Sequence, residues 1–170
     1  MEFAKIVLLS IAAASCYGIL HDQITARICL EYFTVFHPPV FPTGNPTLLA
    51  LGWGVIATWW LGAFLGVVLA ISARIGHRRK VTAGELARPI LRLLAVMALS
   101  ALLFGTTGYV LTGRGMIAPP AWVRGILPQR SYNAFMADWW AHNASYAVAT
   151  LGGIVLCVMT YRKRVGAQAE

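Results

Sequence analysis

The chain has 170 residues, of which 58% are hydrophobic and only 12% are charged, and its formal net charge is +8. A soluble domain carries roughly a quarter charged residues, so the composition excludes an ordinary soluble protein and indicates a single transmembrane domain over residues 1–170. The basic residues mostly flank apolar runs, where they contact the headgroups of a lipid bilayer, so we expect no nucleic acid partner.

Four stretches are apolar over the roughly 20 residues that a helix needs to cross a bilayer. They cover about residues 4–22, 47–73, 89–112 and 139–161. The first stretch also resembles a secretory signal, because Lys5 precedes its apolar run and the residues from Ala12 to Ser15 are all small. A retained helix is the favoured interpretation. The sequence therefore predicts an all-α integral membrane four-helix bundle with partly helical or irregular outer loops.

The distribution of Lys and Arg predicts the orientation of the bundle. If the amino terminus is cytoplasmic, only four of the 14 basic residues lie in outer segments: Arg27, Arg114, Arg124 and Arg130. Cytoplasmic loops are enriched in Lys and Arg, so both termini are predicted to be cytoplasmic.

Small residues recur at every fourth position in three of the spans. Gly62 and Gly66 form a GxxxG step, which allows the backbones of two helices to approach closely in lipid. The full sets are Ser10, Ala14 and Gly18, then Gly54, Thr58, Gly62, Gly66 and Ala70, then Ala141, Ser145, Ala149 and Gly153. These faces predict close packing inside the bundle, with a homo-oligomer through the Gly62/Gly66 face as the alternative.

Carboxylates and histidines gather at the predicted outer ends of the first and fourth spans. His21 and Asp22 end the first span, while Asp138 and His142 are spaced i, i+4 and share a helix face. Ionisable groups at membrane depth are costly and often mark a functional site. The sequence therefore predicts a metal site in which these four side chains are the ligands. Glu31, beyond the first span, is predicted to be a further ligand or a general base.

Imidazole and carboxylate ligands favour zinc, iron or manganese over copper(I). One alternative is an electron-transfer subunit in which His21 and His142 bind a b-type haem. Another is a dimeric transporter or a partner subunit without catalysis. Whether the chain is an enzyme stays open.

A simpler hypothesis gives the polar residues only local structural roles. Asp22 would then pair with Arg27, and Asp138 would pair with Arg130 or cap a helix. His37, which precedes two prolines, is expected to face solvent.

Two short segments carry a resemblance to known sequences. The run Tyr-Gly-Ile-Leu-His-Asp-Gln-Ile-Thr at 17–25 is followed by Glu-Tyr-Phe-Thr at 31–34. This pattern resembles a signature of small uncharacterised bacterial membrane proteins. The resemblance implies a location in the bacterial inner membrane and implies no activity.

Overall fold

The protein is all-α. The computed structural model describes residues 1–166, is 79% helical and contains no strand in that range. Its helices are α1 (Glu2–Ile28), α2 (Leu30–Thr34), α3 (Pro46–Ile56), α4 (Trp59–Arg74), α5 (Ala83–Gly113), α6 (Ala121–Arg124) and α7 (Tyr132–Gly166), with a 3-10 turn over Gln129–Ser131. The predicted fold class is confirmed. The carboxyl terminus, which was predicted to be cytoplasmic, lies outside the described residues.

Within residues 1–166, four segments are long and apolar enough to cross a membrane, as the sequence predicts. They are Glu2–Ile28, Pro46–Arg74, Ala83–Gly113 and Gln129–Arg164. The helices extend beyond the predicted apolar cores. For example, α5 begins at Ala83 because Thr82 and Glu85 form a reciprocal capping box that satisfies the free N–H groups of its first turn.

The four spans form a ring. α1 packs against α3 and α4 on one side and against α5 on the other, and α7 packs against both α5 and α4. α2, α6 and the segments 35–45 and 114–131 all lie at one end of this ring, which we call the α2 end. Residues 75–82 connect α4 to α5 at the opposite end.

The small residues pack against one another inside the chain. A Cβ atom added at Gly62 would lie 2.8 Å from Ala14 Cβ, and one added at Gly66 would lie 2.8 Å from Ser10 Cβ. Gly18 lies directly against the backbone of Gly54. The predicted internal packing is therefore confirmed. Because α1 covers the Gly62/Gly66 face, a second copy would have to displace α1 to use it, and a homo-oligomer stays a prediction.

The second span is interrupted at residues 57–58, where the sequence predicts one continuous helix. Thr58 Oγ1 donates a hydrogen bond to the Gly54 carbonyl at 2.6 Å, and Tyr146 Oη donates to the Ala57 carbonyl at 3.1 Å. Side chains that satisfy backbone groups allow such an interruption within a segment of membrane length. The interruption lies beside the α2-end half of α1, where Gly18 approaches Gly54.

Arg164 joins two helices at the opposite end. The residue is only 1% exposed. Its guanidinium donates to the carbonyls of Ser72 and Arg79, each at 2.6 Å, and of Ile75 at 2.7 Å. Arg164 therefore fixes the end of α7 to the final turn of α4 and to the connection that follows it.

Candidate metal centre

Three of the predicted metal ligands meet at the α2 end. His21 and Asp22 project from α1 and His142 from α7, and each offers a ligand atom that lies within 4.8 Å of the other two. His142 Nε2 is 3.3 Å from Asp22 Oδ1. The rings of His21 and His142 are in edge-to-face contact with centroids 4.6 Å apart. We call His21, Asp22 and His142 the His–Asp–His group.

The backbone of α7 sets the orientation of His142. Its Nδ1 lies 2.8 Å from the carbonyl oxygen of Asp138, and because a carbonyl only accepts, Nδ1 must donate. In the neutral ring Nε2 then carries the lone pair, and Nε2 is the atom that faces Asp22. Metal-binding histidines commonly donate their other N–H to a carbonyl or carboxylate in this way.

The spacing of the ligand atoms is compatible with an ion. Two ligands at the usual zinc distances from one tetrahedral ion are about 3.4 Å apart, close to the 3.3 Å between His142 Nε2 and Asp22 Oδ1. The longest separation in the group, at most 4.8 Å, requires a small inward rotation of side chains. The group is also shielded, since Asp22 is only 4% exposed.

Aromatic side chains of α2 cover the group. The ring of Tyr32 stacks on the imidazole of His142 with centroids 4.7 Å apart. The ring of Phe33 packs against the same imidazole, with centroids 5.9 Å apart. Burial raises the pKa of the Tyr32 hydroxyl. The short helix therefore folds back over the ends of α1 and α7 and limits the access of water to His142.

His37 lies in this aromatic layer and is only partly exposed, whereas the sequence predicts that it faces solvent. Its Nδ1 lies 2.7 Å from the Tyr32 carbonyl, and its ring stacks on Phe33 and contacts Trp53 edge-on. Burial lowers the pKa of His37, and the Tyr32 carbonyl partly opposes that shift. No spacing in the sequence indicates this placement, because it depends on how residues 35–37 turn back toward α3.

Asp138 is adjacent to the His–Asp–His group but is not part of it. The residue is 0% exposed, and neither carboxylate oxygen has a hydrogen-bond partner among the described residues. The Cys29 N–H approaches Asp138 but donates to the Thr25 carbonyl at 3.0 Å. Asp138 is also inside α7, so it caps no helix end, and no ion pair with Arg130 occurs within residues 1–166.

Glu31 does not join the group either. Cys29 Sγ donates to Glu31 Oε2 at 3.6 Å, and burial raises the pKa of the Cys29 thiol to about 12. Arg27 donates to Gln23 and Thr47, and its pairing with Asp22 does not form. The ligand role predicted for Glu31 is therefore not supported by its position, because α2 directs its carboxylate toward Cys29.

An internal cavity of about 160 Å³ extends from the His–Asp–His group along the bundle to Leu69 and Cys157. Its walls are mainly apolar. The rings of His21 and His142 are in contact here and leave no space for a macrocycle between them. This arrangement therefore does not support the haem alternative with these two axial ligands, which stays a prediction. Transport or a partner-subunit role stays a prediction.

The chain was also compared with known proteins. No protein-family model, curated protein or solved structure matches it.

Proposed function

We propose that this chain is an inner-membrane protein of bacteria that binds one divalent transition metal ion through His21, Asp22 and His142. The observation that carries the proposal is the convergence of three ligand atoms to within 4.8 Å of one another. The hydrogen bond from His142 Nδ1 to the Asp138 carbonyl supports it, because this bond leaves Nε2 available to a metal.

The ligand set limits the chemistry of the site. Two imidazoles and one carboxylate occur both in hydrolytic zinc sites and in non-haem iron(II) sites, and manganese also accepts them. Three protein ligands leave a coordination position free for water or a substrate. The internal cavity begins at this group, so a small molecule has space beside the ion. We propose zinc or iron, with hydrolysis or redox chemistry respectively.

We propose that both termini are cytoplasmic and that the site therefore lies at the extracytoplasmic side. Ten of the 14 basic residues then lie in cytoplasmic segments, as the positive-inside rule requires. The residues that cover the group, from α2 to Trp53, would face the periplasm. In this orientation the site takes its metal from outside the cytoplasm.

Metal analysis of protein purified without chelators tests the proposal. We expect a stoichiometric transition metal in the wild type and a loss of at least tenfold in His142→Ala and in Asp22→Asn, which keeps the side-chain shape. Asn143→Ala is the matched control, since Asn143 is the exposed neighbour of His142 on the same helix and bonds only within it. Its metal content should equal that of the wild type.

Two outcomes would overturn the assignment. One is wild-type protein that stays metal-free after incubation with zinc or with iron(II) under anaerobic conditions. The other is an unchanged metal content in folded Asp22→Asn and His142→Ala, with folding checked by gel filtration and circular dichroism. The identity of the metal retained by the wild type separates the hydrolytic proposal from the redox proposal.

A further inference from the structure

A second cavity opens on the side of the bundle between α1 and α5. This lateral cleft has a volume of about 490 Å³, and α7 forms its floor. Leu20 and Leu102 at its rim are 68% and 69% exposed. Because both helices belong to membrane-length segments, the cleft opens toward the lipid tails. A ligand would enter it from the bilayer.

Two side chains that line this mainly apolar cleft carry buried polar atoms without a hydrogen-bond partner. Asp138 lies at the floor with no hydrogen-bond partner for either oxygen, and His21 Nε2 is likewise buried and without a partner among the described residues. Burying polar atoms without partners is costly, and most such atoms in native proteins are satisfied by protein, water or a ligand. The unpaired oxygens of Asp138 therefore point to a ligand that donates a hydrogen bond.

The charges around the cleft restrict the headgroup of that ligand. None of the described residues that line it is Lys or Arg. A phosphate or carboxylate headgroup would therefore be buried beside Asp138 with no cation to offset its charge, which is costly. An uncharged hydroxyl group meets the requirement, because it donates one hydrogen bond and brings no charge into a low-dielectric site.

We propose that the lateral cleft binds a neutral lipid alcohol, with its hydrocarbon chain between α1 and α5 and its hydroxyl group donating to Asp138. The proposal does not depend on a bound metal. It does connect the two sites, because the ring of His21 lines both the lateral cleft and the internal cavity. The hydroxyl group would therefore lie beside the His–Asp–His group.

Binding of oleyl alcohol to the full chain in lipid nanodiscs tests the proposal, with oleyl methyl ether as the matched ligand that lacks a donor. We expect the wild type to bind the alcohol at least tenfold more tightly than the ether. In Asp138→Leu that preference should disappear. The melting temperature of Asp138→Leu should be equal to or above that of the wild type, because the substitution removes a buried unpaired polar group and keeps the branching at Cγ.

A second pair of variants tests the position of the ligand's hydrocarbon chain. Ala98 lines the cleft and is exposed, whereas Ala95, one turn earlier on α5, is exposed and lines neither cavity. We expect Ala98→Phe to weaken binding of the alcohol and the ether alike by at least tenfold. Ala95→Phe should bind both ligands as the wild type does.

Equal affinity for alcohol and ether in the wild type would overturn the role of Asp138. Undiminished binding in folded Ala98→Phe would overturn the location of the ligand, and tighter binding of oleic acid or oleylamine would overturn the choice of headgroup. All assays are repeated after chelation and on His142→Ala. We expect the alcohol to bind in both cases. If the wild type fails to bind metal but still binds the alcohol, the metal site is refuted and the lipid site is not.

Discussion

The histidines at the α2 end differ in what holds their ring nitrogens. Backbone carbonyls accept hydrogen bonds from Nδ1 of His142 and of His37, at 2.8 Å and 2.7 Å. Among the described residues, His21 Nε2 has no such partner. The orientations of His142 and His37 are therefore set by the backbone, whereas no hydrogen bond to Nε2 would have to break for His21 to turn toward an ion in the His–Asp–His group.

His37 is expected to make stability depend on pH. Burial lowers its pKa below the ordinary value of 6.5, so the unfolded chain binds a proton more readily than the folded chain. Its contribution to stability is therefore present above about pH 6.5 and is lost as the pH falls through the folded pKa. We expect the free energy of unfolding of the wild type to fall in this range more steeply than that of His37→Phe, by up to about 1.4 kcal/mol per pH unit.

Denaturant unfolding in detergent between pH 4 and pH 8 measures this difference in slope. Asp22 and His142 are the titratable groups whose charges act on His37. Both groups are present in the wild type and in His37→Phe, so their own contributions to the slope cancel in the comparison. His77→Phe is the control, because His77 is exposed at the opposite end of the bundle, and its slope should match that of the wild type. Parallel curves for His37→Phe and the wild type would show that burial of His37 has no such effect.

At the scale of the elements, contacts between small residues hold α1 against α3 and α4. Gly18 meets Gly54, and farther along α1 Ala14 and Ser10 meet Gly62 and Gly66. Such close contacts replace the hydrophobic driving force that is missing between helices in lipid. They also fix the rotation of α1, and this rotation directs His21 and Asp22 toward α7. Packing of small residues and formation of the candidate site are therefore coupled.

Gly18→Ala tests this coupling. The added methyl group would overlap the Gly54 carbonyl and lie 2.7 Å from Thr58 Cγ2, so we expect a loss of about 1–3 kcal/mol in the free energy of unfolding. Gly84→Ala is the matched control, because nothing lies within 4 Å of the added atom. This substitution in the exposed first turn of α5 should stabilise the protein by up to about 1 kcal/mol. Equal effects of the two substitutions on thermal unfolding would contradict the close approach at Gly18.

At the scale of the whole molecule, the ring of spans is joined differently at its two ends. Aromatic packing under α2 closes one end, with Phe33 and Phe135 both buried. At the other end, Arg164 satisfies three carbonyls in and after the last turn of α4. A cation at the carboxyl end of a helix is also favoured by the helix dipole. The contact fixes the fourth span relative to the second.

Arg164→Met should destabilise the fold. It leaves three carbonyls in the 72–79 segment without a charged donor, so we expect a loss of about 2–4 kcal/mol in the free energy of unfolding. Arg162→Met is the control, because Arg162 is exposed on the same helix turn, and it should change stability by less than about 0.5 kcal/mol. Urea or detergent titration followed by tryptophan fluorescence measures both variants. An effect of Arg164→Met as small as that of the control would refute this role.

The sequence alone determines the four spans, the all-α class and the small-residue faces. Each of these depends on apolar length or on spacing along one helix, and both are local properties. The capping box at Thr82 and Glu85 is equally local. The depth of His21 and His142 could also be predicted, because each follows from its distance along a span, and the two rings do meet.

Only the tertiary structure decides which polar groups share a site. The rotation of α1 and α7 brings Asp22 to His142 and leaves Asp138 facing the lateral cleft, although sequence spacing treats the two carboxylates alike. The fold of the chain after α1 takes Glu31 to Cys29 and carries His37 into the aromatic layer. These partners lie on different helices or beyond a bend, and their meeting depends on packing between helices, which the periodicity of a single helix does not specify.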